Sequence, residues 1–261
     1  MFPTEAYLRR LGIHPQVGPP SAELLAELQL AHLIHVPFEN LHVYHRREPL
    51  TDAGWSVRKI VDEGRGGWCF EVNGAFASLL RALGFVVDHV SCQVWDAAEE
   101  SWGPDFDHLG SIVHLDGRRL FVDVGFGDCC LEPLVVDTLE RDAVPRRVRT
   151  EVFDGHMVLT ELMPTDVGAE WEPQLRISFQ PRHLEEFDSR STHLQISPGL
   201  SWHEKPFATR ALDGAGSRVI LRGDLLRQRV GRSAFIDTPV APNEWSSTLL
   251  AHFGLVDDLR R

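Results

Sequence analysis

Apolar residues recur at helical spacing in two stretches of the first third of the chain. After Pro19-Pro20, Ser21 can cap a helix that carries Leu24, Leu25, Leu28 and Ala31 on one side, and Pro37 ends it. A second periodic stretch opens near Cys69 with Val72, Phe76, Leu79, Leu80 and Leu83, and Gly84 is a natural stop. From Phe85 the period changes. Val86-Val87, Val90–Val94, Leu109–Leu115 and Arg119–Val124 read as strands, followed by Arg146–Phe153, Met157–Leu162 and Leu175–Phe179. Asp116-Gly117 between two apolar runs is a strong hairpin signal. The last third mixes a strand at Arg218–Arg222 with a closing helix near Glu244–Phe253. The pattern predicts an α+β protein whose middle third is a barrel or a sandwich.

Composition narrows what such a fold can serve. The 261 residues, 43% of them hydrophobic, are ample for a buried core. A net charge of -12 with scattered arginines disfavours nucleic acid as a partner. No stretch approaches the ~20 apolar residues that cross a bilayer, and the first residues lack a signal-peptide pattern. The expectation is a soluble, cytoplasmic protein without a membrane partner. Cys69, Cys92, Cys129 and Cys130 include no CxxC pair and there is no HExxH, so reduced thiols and no metal site are expected.

One cysteine stands out by its setting. Arg65-Gly66-Gly67-Trp68-Cys69-Phe70-Glu71 lies where a loop turns into a helix. A thiol there meets the positive end of the helix dipole and unpaired N–H groups, which favour thiolate and suit an oxyanion. The hairpin supplies a base. With Asp116-Gly117 as a two-residue turn, Leu115 faces Arg118, Val113 faces Leu120, and Gly110 faces Asp123. His108 and Asp123 then share a face as diagonal neighbours, roughly 7 Å apart at the backbone. An imidazole beside a carboxylate is a base with its orienting acid. His114 shares that face but is predicted opposite Arg119, a poor neighbour for a base. Spacing alone does not bring Cys69 to this pair.

The motifs resemble those of the arylamine N-acetyltransferases over nearly the full chain. His35-Val36-Pro37-Phe38-Glu39-Asn40-Leu41 resembles the family's PFENL motif, and Arg65 to Glu71 with Asn73 and Gly74 its cysteine motif. His108-Leu109 sits where the family's histidine opens a strand, and Val122-Asp123-Val124-Gly125-Phe126-Gly127 matches its DVGFG motif. The resemblance implies a catalytic triad of Cys69, His108 and Asp123. It implies a helical bundle over residues 1–84, a β-barrel over 85–185 and an α/β lid over 186–261, with the triad between the first two. It also implies a ping-pong route: the thiolate takes acetyl from acetyl-CoA, a co-substrate rather than a retained cofactor, and an arylamine or hydrazine accepts it.

Other roles follow from the same resemblance. Phe38 and Phe126 match positions lining the acceptor pocket. Glu39 and Arg65 match a structural ion pair. Gly125 and Gly127 leave N–H groups uncovered for CoA phosphates. The stretch from Glu186 to Trp202 resembles the family's third-lobe segment, with Ser191, His193 and Trp202 departing from its usual residues; His193 stands at a CoA-contacting position. Asp128 is a further departure, placed either to disfavour CoA phosphates or to face solvent. Three other readings stay open: an amide synthase or longer-chain acyl-CoA transferase of the same family, a thiol hydrolase or transglutaminase-like enzyme, and a non-catalytic binding protein.

Overall fold

A computed structural model describes residues 2–47, 50–197 and 200–259. Seven α-helices occur among them: α1 (Thr4–Arg10), α2 (Ala22–His35), α3 (Leu41–Tyr44), α4 (Ala53–Val61), α5 (Cys69–Ala82), α6 (Asp188–Ile196) and α7 (Trp245–Phe253). The strands of the middle of the chain are β2 (Val86–Asp96), β3 (Ser101–Trp102), β4 (His108–Leu115), β5 (Arg118–Val122), β6 (Leu134–Val135), β7 (Leu139–Arg141), β8 (Val148–Phe153), β9 (His156–Thr165) and β10 (Gly168–Arg182). A two-residue strand β1 (Phe38–Glu39) joins β11 (Phe207–Ala211), β12 (Arg218–Arg222), β13 (Leu225–Arg229) and β14 (Ile236–Pro239) in a second sheet.

The sequence pattern and its stop signals account for α2. Ser21 accepts the Leu24 N–H as its cap, and the helix ends at His35 because the residue before Pro37 is pushed to extended backbone. Helix α5 is buried almost all round, because it packs against α4 on one side and against β2 and β4 on the other. Its residues Phe76, Leu79 and Leu80 share one core with Leu8, Leu25, Leu28 and Ile60 and with the inner residues Val113 and Val122 of the sheet.

The larger sheet runs β6-β5-β4-β2-β10-β9-β8-β7, with β3 added beside β2. It is curled around a second core of Val90, Ile112, Phe121, Leu159, Leu175 and Ile177. Among the described residues β6 and β7, its two ends, do not pair, so the expected barrel is an open half-barrel. Both end strands are only two or three residues long and offer little ladder for closure. The hairpin of β4 and β5 has the register expected from Asp116-Gly117, with Leu115 opposite Arg118 and Val113 opposite Leu120. Asp116 and Gly117 both have positive φ, 50° and 74°, as a type I′ turn demands.

The second sheet packs on α7 through Ala208, Val219, Leu221, Trp245, Leu249 and Phe253. Its edge strand comes from far away in the chain: Phe38 pairs with Thr209 and Glu39 with Ala208. No helix among the described residues is long and apolar enough to cross a membrane.

Candidate active site

Cys69 is the first residue of α5 and is 3% exposed. The loop before it is pinned from several sides. A side chain at Gly66 would place its Cβ 1.9 Å from the Pro37 carbonyl oxygen, so only glycine fits. Glu39 N–H donates to the Gly67 carbonyl (3.0 Å), and Gly67 N–H to Pro37 (3.3 Å). Glu71 accepts the Trp68 N–H (3.0 Å), half of a capping box at the start of the helix.

Beneath this loop lies a buried ion cluster. Lys59, 1% exposed, donates to both oxygens of Glu71 at 2.8 and 3.0 Å and stands 3.5 Å from Glu39. Burial, opposed by Lys59 and reinforced by Glu39, pushes the Glu71 carboxyl up to about 7. The expected Glu39–Arg65 pair is thus replaced: Glu39 takes Lys59, and Arg65 turns to Asp258 (2.8 Å) and the Val256 carbonyl (3.1 Å). Lys59 was not singled out in the sequence because it sits inside helix α4, away from either motif.

His108, at the start of β4, is 3% exposed and within hydrogen-bonding reach of the Cys69 thiol. Its Nε2 lies 2.6 Å from Asp123 Oδ2, which leaves Nδ1 to face the sulfur. Burial opposes its protonation, but the charge and hydrogen bond of Asp123, with those of Cys69, outweigh this and raise the imidazole to about 10. Asp123 Oδ1 accepts from Asn73 Nδ2 (2.9 Å) and from Gly125 N–H (2.7 Å). Asn73 also donates to the Leu109 carbonyl (2.7 Å) and accepts the Val124 N–H (2.9 Å). It thereby ties α5 to both strands of the hairpin. The sequence held the signal for this role, since Asn73 lies one helical turn after Cys69 on the same face. His114, the rival histidine, pairs with Asp88 at 2.7 Å on the outer surface.

The other candidates fall in different places. Phe38 and Phe126 line one cleft of about 300 Å³ with Gly127, Trp202, Lys205, Phe207 and Arg222. Phe126 meets the His108 ring edge-on at 5.3 Å, and Phe38 packs on the cluster that contains Cys69. Gly127, with φ of 95°, has open space where a side chain would stand. Gly125 does not have the free N–H expected of it, because that donor is spent on Asp123. A Cβ there would come within 2.9 Å of the Cys69 Cα, so its smallness serves the packing of loop on helix. His193 lies outside the cleft, exposed on α6 with Ser197 as its partner (3.0 Å), and Ser191 is buried. Asp128 neither faces solvent nor stands unpaired. It is gripped by Arg146 (2.8 Å), Arg218 (2.9 Å) and Arg229 (2.7 Å). Burial pushes its carboxyl up, but the Arg229 hydrogen bonds and the charges of Arg218 and Arg146 hold it at about 2.

This arrangement of a buried thiol, a buried imidazole and a part-buried carboxylate, hydrogen-bonded in sequence, suits nucleophilic acyl chemistry. A family model described as N-acetyltransferase matches residues 21–259. The chain belongs to the arylamine N-acetyltransferase family. It is accordingly an enzyme, an acyltransferase. Human arylamine N-acetyltransferase 1 is 27% identical over 223 residues, covering 78% of this chain and 76% of its own. Proansamycin X synthase of Amycolatopsis mediterranei is 33% identical over 141 residues, covering 52% of this chain and 53% of its own. The structure of Mycobacterium marinum arylamine N-acetyltransferase in complex with CoA superposes with a TM-score of 0.86 at 23% identity, covering 99% of this chain and 95% of that one. Like this family member, the chain has a mixed α/β fold with a curled half-barrel.

Proposed function

We propose that the enzyme moves an acetyl group from acetyl-CoA to the nitrogen of an arylamine or arylhydrazine by a ping-pong route through a Cys69 thioester. The observation that carries this reading is the placement of Cys69 at a helix N-terminus beside a histidine whose far nitrogen is bonded to a carboxylate. Cys69 Sγ attacks the acetyl carbonyl while His108 holds the thiol proton. Collapse of the tetrahedral intermediate expels CoA, which takes that proton from His108. The amine then attacks the acetyl-cysteine, His108 accepts its proton, and the thiol is restored as the amide leaves. Asp123 keeps the imidazole in the tautomer that can accept at Nδ1 and stabilises its charged form.

The aromatic cleft supports the rest. Phe38, Phe126, Trp202 and Phe207 offer flat apolar walls to an aryl ring. Lys205, Arg222 and the open Gly127 backbone at the same cleft suit the phosphates of CoA, which is a co-substrate here; the M. marinum neighbour's complex with CoA supports such binding. Gly125 and His193 are given no CoA contact in this reading. The lobes expected over 1–84, 85–185 and 186–261 then serve as nucleophile carrier, base carrier and lid.

Intact-protein mass after mixing with acetyl-CoA, without amine, tests the reading. One acetyl adduct on Cys69 that disappears on adding an arylamine is expected. A freely alkylated Cys69 that never takes acetyl refutes the donor. The likeness to proansamycin X synthase favours one second reading, a member recruited to another acyl transfer. Longer acyl-CoAs or carrier-bound acyl chains would then load Cys69 in place of acetyl-CoA.

A further inference from the structure

Two cysteines lie off the reaction path. Cys129 and Cys130 follow the Asp123 loop, and β9 brings Glu161 against them from across the half-barrel. We propose that Cys129 Sγ, Cys130 Sγ and Glu161 Oε1 form a site for a thiophilic divalent cation of the zinc and cadmium class.

Four observations support the assignment. The three donor atoms lie within 4.8 Å of one another. Two thiolates bound to a tetrahedral zinc at ~2.3 Å stand about 3.8 Å apart, so only a small closure is required. Glu161 is 1% exposed, and its two oxygens are used differently. Arg146 holds Oε2 at 2.7 and 2.9 Å, while Oε1 is buried without a hydrogen-bond partner. Arg146 therefore orients the carboxylate, as outer partners of metal ligands do. A small cavity of about 20 Å³ borders both cysteines together with Gln29, whose own Oε1 is buried without a partner. It has room for one water as a fourth ligand, with Gln29 to accept its hydrogen bond.

The charge count also closes. Arg146, Arg218 and Arg229 face Asp128 and Glu161 here, leaving one net positive charge while both thiols are protonated. Binding proceeds as M²⁺ + 2 RSH → M(SR)₂ + 2 H⁺. The dication replaces two protons, so the buried charge is unchanged and no new unpaired ion is created. The CxxC spacing of ordinary zinc sites is absent because these sulfurs are adjacent in a loop and the third donor comes from another strand.

The Cys69→Ser protein, which lacks the reactive thiol as a competing ligand, should bind one equivalent of Cd²⁺ with sulfur-to-cadmium charge-transfer absorption. Zn²⁺ should displace the Cd²⁺ and raise the melting temperature. Adding Cys129→Ser should abolish the absorption, and adding Glu161→Gln should weaken binding at least tenfold. Each variant is first shown to be folded by its melting transition. The assignment is overturned if the Cys69→Ser protein takes up no Cd²⁺, or if binding is unchanged in either folded double variant.

Discussion

Replacing Asp123 with asparagine tests the centre of the site, and the structure dictates how the new amide must sit. Asn73 Nδ2 and Gly125 N–H both donate to Asp123 Oδ1, so an asparagine at this position must present its carbonyl oxygen there. Its NH₂ then points at His108 Nε2, where Asp123 Oδ2 stood at 2.6 Å. The imidazole answers by accepting at Nε2 and carrying its proton on Nδ1, the nitrogen that takes the proton from Cys69 in the proposed mechanism. The base is lost through the wrong tautomer. The magnitude follows from His108, raised from 6.5 to about 10 against the opposing pull of burial. At 1.36 kcal/mol for each tenfold, this corresponds to about 5 kcal/mol favouring the imidazolium. A loss of most of it slows acylation by about 10³–10⁴-fold. The assay is single-turnover CoA release from Asp123→Asn, with a thermal melt to establish the fold. A folded variant acylated within tenfold of the parent rate would refute the tautomer argument.

Three further outcomes are expected. Lys59→Met leaves Glu39 and Glu71 buried without their cation, and should lower stability by about 3–5 kcal/mol in urea melts. Gly125→Ala forces a methyl against the Cys69 Cα and Val72, and should cost about 1–3 kcal/mol in the same measurement while slowing acetylation of Cys69. Asp128 should set the acid limit of stability: its carboxyl is held at about 2, below the ordinary 3.8, so its contribution of about 2 kcal/mol is complete above pH 3.8 and fades as the pH falls through about 2. Comparing urea midpoints of the parent and Asp128→Asn across that range checks the sign, since the difference must shrink toward low pH.

How much of this was legible beforehand depended on whether the signal was local. The Asp116-Gly117 turn has one favoured geometry, so it fixed the β4–β5 register and with it the shared face of His108 and Asp123. The start of α5 was legible from two glycines and an apolar period. The ion partners were not. Glu39, Lys59, Glu71 and Arg65 lie within reach of one another, and only the packing of α4 under the cysteine loop decides which pairs form. The grip on Asp128 was not legible either, because its three arginines come from the half-barrel and from β12 and β13, far along the chain. Strand β1 is two residues long and has no alternation to read. The open edge of the half-barrel likewise rests on β6 and β7, too short to register as strands.

The clamp on the cysteine loop bears on how the protein is made. Glu39 and Gly67 are bonded to each other, but β1 is completed only by β11, and Arg65 is held by Val256 and Asp258 near the end of the chain. Asn40 likewise grips the carbonyls of Trp202 and Lys205. On the ribosome, the segment bearing Cys69 emerges long before the residues that immobilise it. Contacts of such sequence separation form late. The nascent polypeptide therefore carries Cys69 on an unfinished scaffold, and its loop is clamped only once the segment through Asp258 has been made. A chain cut before Val256 would keep both sheets' central strands yet release Arg65, so the segment of Val256 and Asp258 carries part of the order of the distant cysteine loop.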